Sequence, residues 1–394
     1  MDLVSRRYPE SPRPGDLRTP YQHDRDRILH STAFRKLQYK TQVYAIHEGD
    51  LYRTRMTHSL EVAQIARGLA LQLGAEMDLA EAIAMAHDLG HSPFGHSGTE
   101  ELNALLRKYR MRFEHNIQSY RIVTWLEKRY AGFPGLNLTC ATLQGIIGHE
   151  TFFDRPLDIL RRLPRELKKE VGLLLEAPLT LEAQIVNLAD AIAYASHDIE
   201  DALTVQLITW EQFKGELQRK QVVFMLEIID EVESEIDRYV SANPGAGRET
   251  VNSLRSRRLA YAIIDRLIRE VVALGSREGR VCGLPPELER QVKVLVEQIL
   301  IDEVYHDYRV ELMTLKGRKI IRHLFETYME CPAALPPIVQ ESAPGYFNIS
   351  ANQRQSQKGR RRLAQLVTDY IAGMTDKSAM DLYQIMSQAY EKTL

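Results

Sequence analysis

From about residue 24 onward, apolar residues recur at steps of three and four rather than two, the pattern of helices with one buried face. The stretch THSLEVAQIARGLALQLG (57–74) places Val62, Ala66, Leu69 and Leu73 on one face and stops at Gly74, a natural C-terminal stop. DLAEAIAMAHDLG (78–90) opens with Asp78 and Glu81 at a capping-box-like spacing and runs to Gly90. TLEAQIVNLADAIAYASHDIEDAL (180–203) and VVFMLEIIDEVESEIDRYV (222–240) are two further strong helices. After NPGAGRET (243–250), the best internal linker, helical patterns resume over 257–275, 286–305 and 363–390. Strand-like alternation is confined to a short stretch near Gln42–Ile46. The predicted class is all-α. Three regions follow: an irregular arm rich in Pro and Arg (1–20), a helical core (21–242) and a C-terminal helical region packed on it (243–394).

Composition narrows the function. With 44% apolar and 26% charged residues in 394, the chain has the make-up of an ordinary folded domain or an intimate pair. A formal net charge of −2 excludes a whole-chain electrostatic nucleic-acid binder. No run of about 18 apolar residues exists, so no membrane span is expected, and the N-terminus has no apolar core of signal-peptide type. Cys140, Cys282 and Cys331 are far apart and form no CxxC, which fits a reducing, cytoplasmic setting.

The chemistry concentrates in HDLGHSPFGH, which holds His87, Asp88, His91 and His96 within ten residues. His58 sits in the opening turn of the preceding helix. In the helix 180–203, Ile185, Leu188, Ala189, Ile192 and Ile199 form the apolar face, while Asn187, Asp190, Tyr194, Asp198 and Asp201 form a polar stripe without Lys or Glu. A row of buried carboxylates is costly unless a cation meets it. Two imidazoles and two carboxylates, His58, His87, Asp88 and Asp190, are a nitrogen–oxygen ligand set suited to a catalytic divalent ion with open positions rather than a closed structural zinc site. Such an ion lowers the pKa of a bound water.

The order H…HD…D resembles the HD superfamily of metal-dependent phosphohydrolases. The blocks RTPYQHDRDRILHSTAFRKLQYKTQVY, TRMTHSLEV, AHDLGHSPFGHSG, FEHNIQSYRIV, NLADAIAYASHDIEDAL and VTDYIAGMTDKSAMDLY resemble its deoxyguanosine triphosphate triphosphohydrolase (dGTPase) family, in the same order from about residue 19 to 388. The resemblance implies an HD-domain helical core that cleaves a deoxynucleoside triphosphate (dNTP) at the α-phosphorus to nucleoside and tripolyphosphate. It implies His91 on phosphate, His96 in proton transfer, Arg55 at the α-phosphate, and Tyr194 and Asp198 at the sugar. His115 is a second candidate acid, Arg53 a phosphate contact and Gln42 a second sugar contact; Asn116 and Gln118 are weaker candidates. It also implies a homotetramer or homohexamer activated by a second dNTP at an interface. The metal stays open among Mn, Mg, Co, Fe, Ni and Zn.

One position departs. Where the family usually has a carboxylate three residues after the histidine at 96, this chain has Thr99, followed by Glu100 and Glu101. Either Glu100 takes over the carboxylate's role or His115 carries more of the work. Two other functions stay in view: another HD phosphohydrolase acting on a nucleoside monophosphate or alarmone, and a nucleotide-sensing or nucleic-acid-binding module whose catalysis has decayed. The run RQSQKGRRRLAQ, with Arg354, Lys358, Arg360, Arg361 and Arg362, suggests a solvated helix start or a nucleotide or single-stranded nucleic-acid contact. Without interleaved aromatics, base stacking there is disfavoured.

Overall fold

A computed structural model describes residues 2–10, 14–42, 53–150, 163, 165–278 and 282–387. They form an all-α protein; pairing of strand type is limited to isolated bridges such as Thr41 with Thr54. Of the strand expected near Gln42–Ile46, only Gln42 is described, and it lies in a bend; 43–46 fall outside the described residues. No helix among the described residues is long and apolar enough to cross a membrane.

The helices that carry the argument are α1 (Pro20–Leu29), α2 (Arg55–Leu73), α3 (Met77–Ala86), α4 (Gly95–Leu106), α5 (His115–Arg121), α6 (Cys140–Ile147), α7 (Leu181–Thr204), α8 (Val223–Ala242), α9 (Arg248–Glu278), α10 (Pro286–Val294), α11 (Tyr308–Glu330), α12 (Gln357–Ala372) and α13 (Asp376–Ser387). After α10 the chain continues as a π-helix over Leu295–Tyr305, so the single helix expected for 286–305 changes its winding midway. The best-patterned segments end where expected: α2 stops at Gly74 with φ 65°, a left-handed cap that a side chain would strain. Thr180 caps α7 by accepting from the Ala183 amide.

The start of α3 differs from expectation. Its N-cap is Glu76, and Asp78 and Glu81 do not form a capping box but pair with Arg67 on α2. It also ends at Ala86, before Gly90, where α5 packs against the chain. A Cβ on Gly90 would lie 2.1 Å from the His115 carbonyl and 2.2 Å from the Ser119 amide nitrogen, so α5 approaches too closely for a side chain at that position.

Two apolar cores result. The first joins α1, α2, α3, α6, α7, α8, α9, α10 and the π-helical segment, from Ile28 to Val304. Helix α3 is buried nearly all round, with Leu79, Ala80, Ala82, Ile83, Ala84, Met85 and Ala86 all inside, and its alanines let α2 and α7 come close. The linker lies between α8 and α9, which share this core; α9 packs on α7 and α2. The second core joins α4 with α11, α12 and α13, through Leu102, Leu105, Ile321, Leu324, Val367 and Ile371. The basic run is split by an extended Ser356 (ψ 155°), so Arg354 and Lys358 lie on different helices rather than one face. Arg354 and Arg362 there donate to the carbonyls of Phe347 and Gly345.

Candidate metal and phosphohydrolase site

The site forms where α2, the turn after α3, and α7 converge. Thr54 caps α2 and accepts from the Thr57 amide, which places Arg55 and His58 in the first turn on the inner face, both buried. Beyond α3, tight turns run from Ala86 to Leu89 and from Asp88 to His91. The Ser119 hydroxyl holds them: it donates to the His87 carbonyl (2.9 Å) and accepts from the Gly90 amide (2.8 Å). Asp190 projects from the middle of α7.

These placements bring the four expected ligands together. His58 Nε2 lies 2.8 Å from Asp190 Oδ1. His87 Nε2 lies 3.5 Å from Asp88 Oδ1 and 3.8 Å from Asp190 Oδ1. One ligand atom each from His58, His87 and Asp88 lie within 4.8 Å of one another. The His87 ring is already oriented: its Nδ1–H donates to the Ala84 carbonyl (2.6 Å), so Nε2 turns a lone pair toward the carboxylates and has no hydrogen-bond partner there. A buried acceptor facing two carboxylates is a place that a cation suits. The residues fit a divalent ion.

A residue not anticipated joins them. His149, just beyond α6, lies with Nε2 3.2 Å from Asp190 Oδ2. A second group, His87, His149 and Asp190, also gathers its ligand atoms within 4.8 Å. Asn116 Nδ2 donates to the His149 carbonyl (2.8 Å), which gives this weaker candidate a structural role.

Electrostatics follow from burial and these contacts. Burial pushes the Asp88 carboxyl up, but Arg55, then His87 and His91, outweigh it and hold it well below the usual carboxylate range. Asp190 is held down against burial by hydrogen bonds from His149 and His58. Burial, then Arg55 and His115, keep His91 well below the usual histidine range, so it stays neutral. Arg55 donates to Asp88 Oδ2 (2.9 Å) and to the Gln42 carbonyl (3.2 Å). His91 Nε2 contacts Asp88 Oδ1 at 3.0 Å, its Nδ1 has no hydrogen-bond partner among the described residues, and its ring stacks on His115 at 4.1 Å. His96 is exposed, 6.2 Å edge-on from His91.

Further along α7 the stripe continues as expected. Tyr194 and Asp198 both reach Tyr305 in the π-helical segment, whose hydroxyl donates to Asp198. Tyr305 was not visible as a site residue from its own surroundings in the sequence. Burial lifts Asp198 to about 7 and Asp201 to about 6. A carboxyl raised above its unfolded value of 3.8 adds stability only while protonated. That contribution is complete below about pH 4 and is lost as pH rises through 7. Asp198→Asn is therefore expected to stabilise the protein at pH 8, by up to about 4 kcal/mol. The gain should shrink toward pH 5, as thermal melts across that range would show.

Other expected residues lie elsewhere. Glu100 sits at the surface, its carboxylate paired with Arg318, so it does not reach the cluster. Thr99 instead shares a hydroxyl contact with Ser92 (3.1 Å). Arg53 is held by Glu61, Glu200 and Asp201. The Gln42 Oε1 is buried and has no hydrogen-bond partner among the described residues. The C-terminal region closes the loop from behind: Lys40 bridges the carbonyls of His91 and Ala372, and Asp376 accepts from the Phe94 amide (3.0 Å) and from Thr41.

The all-α architecture and the His–Asp cluster define a class, the HD domain, and comparison with known proteins agrees. The profile described as HD domain matches residues 55–195, and the phosphohydrolase-associated domain matches 282–385. A deoxyguanosinetriphosphate triphosphohydrolase-like protein of Geobacter metallireducens is 41% identical, covering 98% of this chain and 93% of its own length. Proteins of the same description from Geobacter sulfurreducens (39% identical, 98% and 93% covered) and Bordetella pertussis (41%, 93% and 89%) also match. The chain belongs to this dGTPase-like family of HD-domain phosphohydrolases.

Proposed function

We propose that this chain hydrolyses deoxynucleoside triphosphates at the α-phosphorus, releasing the deoxynucleoside and tripolyphosphate. The observation that carries it is the order of groups along one helix. Asp190 of α7 enters the ligand cluster, and Tyr194 and Asp198 follow one and two turns on, about 6 and 12 Å along the axis. That spacing would bring a sugar beside Tyr194 and Asp198 when its phosphate meets the ion.

His58, His87, Asp88 and Asp190 would hold the divalent ion, which when bound supplies Lewis acidity and an activated water. Arg55 presents a planar fork beside the cluster and is suited to bind two oxygens of the α-phosphate. His91, whose Nδ1 has no partner among the described residues, stands beside the cluster where it would contact a phosphate oxygen. When the bond from phosphorus to the sugar's 5′ oxygen breaks, that oxygen leaves as a poor alkoxide and needs a proton. His115, buried and stacked on His91, is placed to deliver it, with His96 at the rim. Tyr194 closes the pocket against a 2′-hydroxyl, Asp198 accepts from the 3′-hydroxyl, and Gln42 adds a sugar contact. The same reading carries a tetrameric or hexameric assembly activated by a second dNTP.

The test is product identity. Purified protein is incubated with each dNTP singly and in mixtures, with Mn or Mg, and the products are separated by ion exchange. Tripolyphosphate with free nucleoside is expected, and faster turnover in mixtures marks the activator. Orthophosphate or pyrophosphate would assign a different HD phosphohydrolase, and binding without turnover would mean a decayed sensor. A related expectation concerns Thr99. Thr99→Glu should raise turnover by about tenfold, less than the hundredfold or more of a full acid–base catalyst because the carboxylate would act through a histidine. An unchanged rate would assign the role to His115 alone.

A further inference from the structure

We propose that His149 is a fifth protein ligand of the divalent ion, held in ligating form by Asn187. The inference rests on the metal centre of the proposed function, not on its substrate.

The first observation is the tautomer. Asn187 Oδ1 lies 2.8 Å from His149 Nδ1. An amide oxygen only accepts, so Nδ1 carries a hydrogen, and Nε2 is the nitrogen left to meet a ligand. Nε2 lies 3.2 Å from Asp190 Oδ2, so an ion held by that carboxylate is within its reach. His87 has the same design, with Nδ1–H tied to a backbone carbonyl and Nε2 aimed inward. Orientation of a ligating imidazole through its other nitrogen is the usual support at metal sites. Asn187 lies one turn before Asp190 on α7, so a single helix supplies one ligand and positions another.

The second observation decides between one ion and two. Both ligand groups, His58–His87–Asp88 and His87–His149–Asp190, contain His87. Its Nδ1 is committed to Ala84, so it has one ligating atom, Nε2, and that atom serves one ion. The two groups therefore close around a single centre. Asp190 faces His58 through Oδ1 and His149 through Oδ2.

Three imidazoles and two carboxylates exceed the four ligands of a tetrahedral zinc site and leave a sixth position for water or substrate. Imidazole nitrogens suit Mn, Fe, Co or Ni better than Mg, which prefers oxygen. Asn187 is a positioning residue.

Metal uptake by the full chain, without nucleotide, tests this. Equilibrium dialysis with Mn2+ should find one ion per wild-type chain. His149→Ala should weaken binding by at least about tenfold, and Asn187→Leu by less. The visible spectrum of the Co2+-loaded protein should change from the weak absorption of high coordination toward a stronger, lower-coordinate one in His149→Ala. Circular dichroism without metal checks the fold, and His149→Gln replaces the alanine variant if that one fails to fold. Wild-type affinity and an unchanged Co2+ spectrum in the variants would overturn the assignment. So would two ions in the wild type and one in His149→Ala. A wild type that takes up no ion at all would instead overturn the metal centre itself.

Discussion

Replacing His87 by alanine is expected to lower turnover by about a thousandfold or more while leaving helical content unchanged. A catalytic ion contributes several kcal/mol to the transition state, and each 1.4 kcal/mol is a factor of ten. His87 stands at the centre of that contribution, because both ligand groups contain it. The ring leaves a small space between α3 and α5, but the turn that carries it is held by backbone contacts and by Ser119, none of which uses the imidazole. Asp190→Ala should behave alike, since Asp190 faces both His58 and His149. Binding to the folded state alone raises stability. Mn2+ should therefore raise the melting temperature of the wild type and leave that of His87→Ala nearly unmoved. Paired melts with and without a chelator, alongside initial rates, check both statements, and full activity in either variant would remove the metal assignment.

Arg55→Ala should lose activity for a different reason and lose stability as well. Arg55 is 2% exposed, and its guanidinium faces Asp88 at 2.9 Å. Removing one partner of a buried pair leaves the other charge uncompensated, at a cost of about 3–5 kcal/mol. In a chain of this size that lowers the melting temperature by roughly 5 °C. Asp88, no longer shared with arginine, stays available to the ion, so metal uptake should persist where turnover is lost. Arg55→Lys keeps the charge and should recover much of the stability but little of the rate, because an ammonium cannot present the planar fork. A lysine variant with wild-type kcat/KM would mean that Arg55 serves only to balance Asp88.

The residues that could be read from the chain are those whose positions depend on a single element. Asp190, Tyr194 and Asp198 lie three to four residues apart on α7, and one helix puts them on one stripe whatever surrounds it. His58 and Arg55 belong to the first turn of α2, and His87 and Asp88 to the turn after α3. His149 was missed because it follows α6 in GHE, with no periodic partner; it becomes a candidate only when α6 is laid against α7. Tyr305 was missed for the same reason, inside a segment whose sequence reads as an ordinary amphipathic helix. Spacing alone offers Glu100, beside His115, as a substitute for the missing carboxylate. The rotation of α4 turns it outward to Arg318.

The all-α class, the helices with strong three-and-four periodicity, the left-handed stop at Gly74 and the chemical types gathered around HD are legible in the chain alone. Those follow from local sterics and from burial of one helical face, and both are written within about twenty neighbouring residues. Which histidines share a carboxylate, which arginines are already paired, and how α5 meets the turn after α3 emerge only from the packed molecule. Each of these depends on how closely separate helices dock, and the approach to Gly90 of a backbone 25 residues further on lies outside any local pattern.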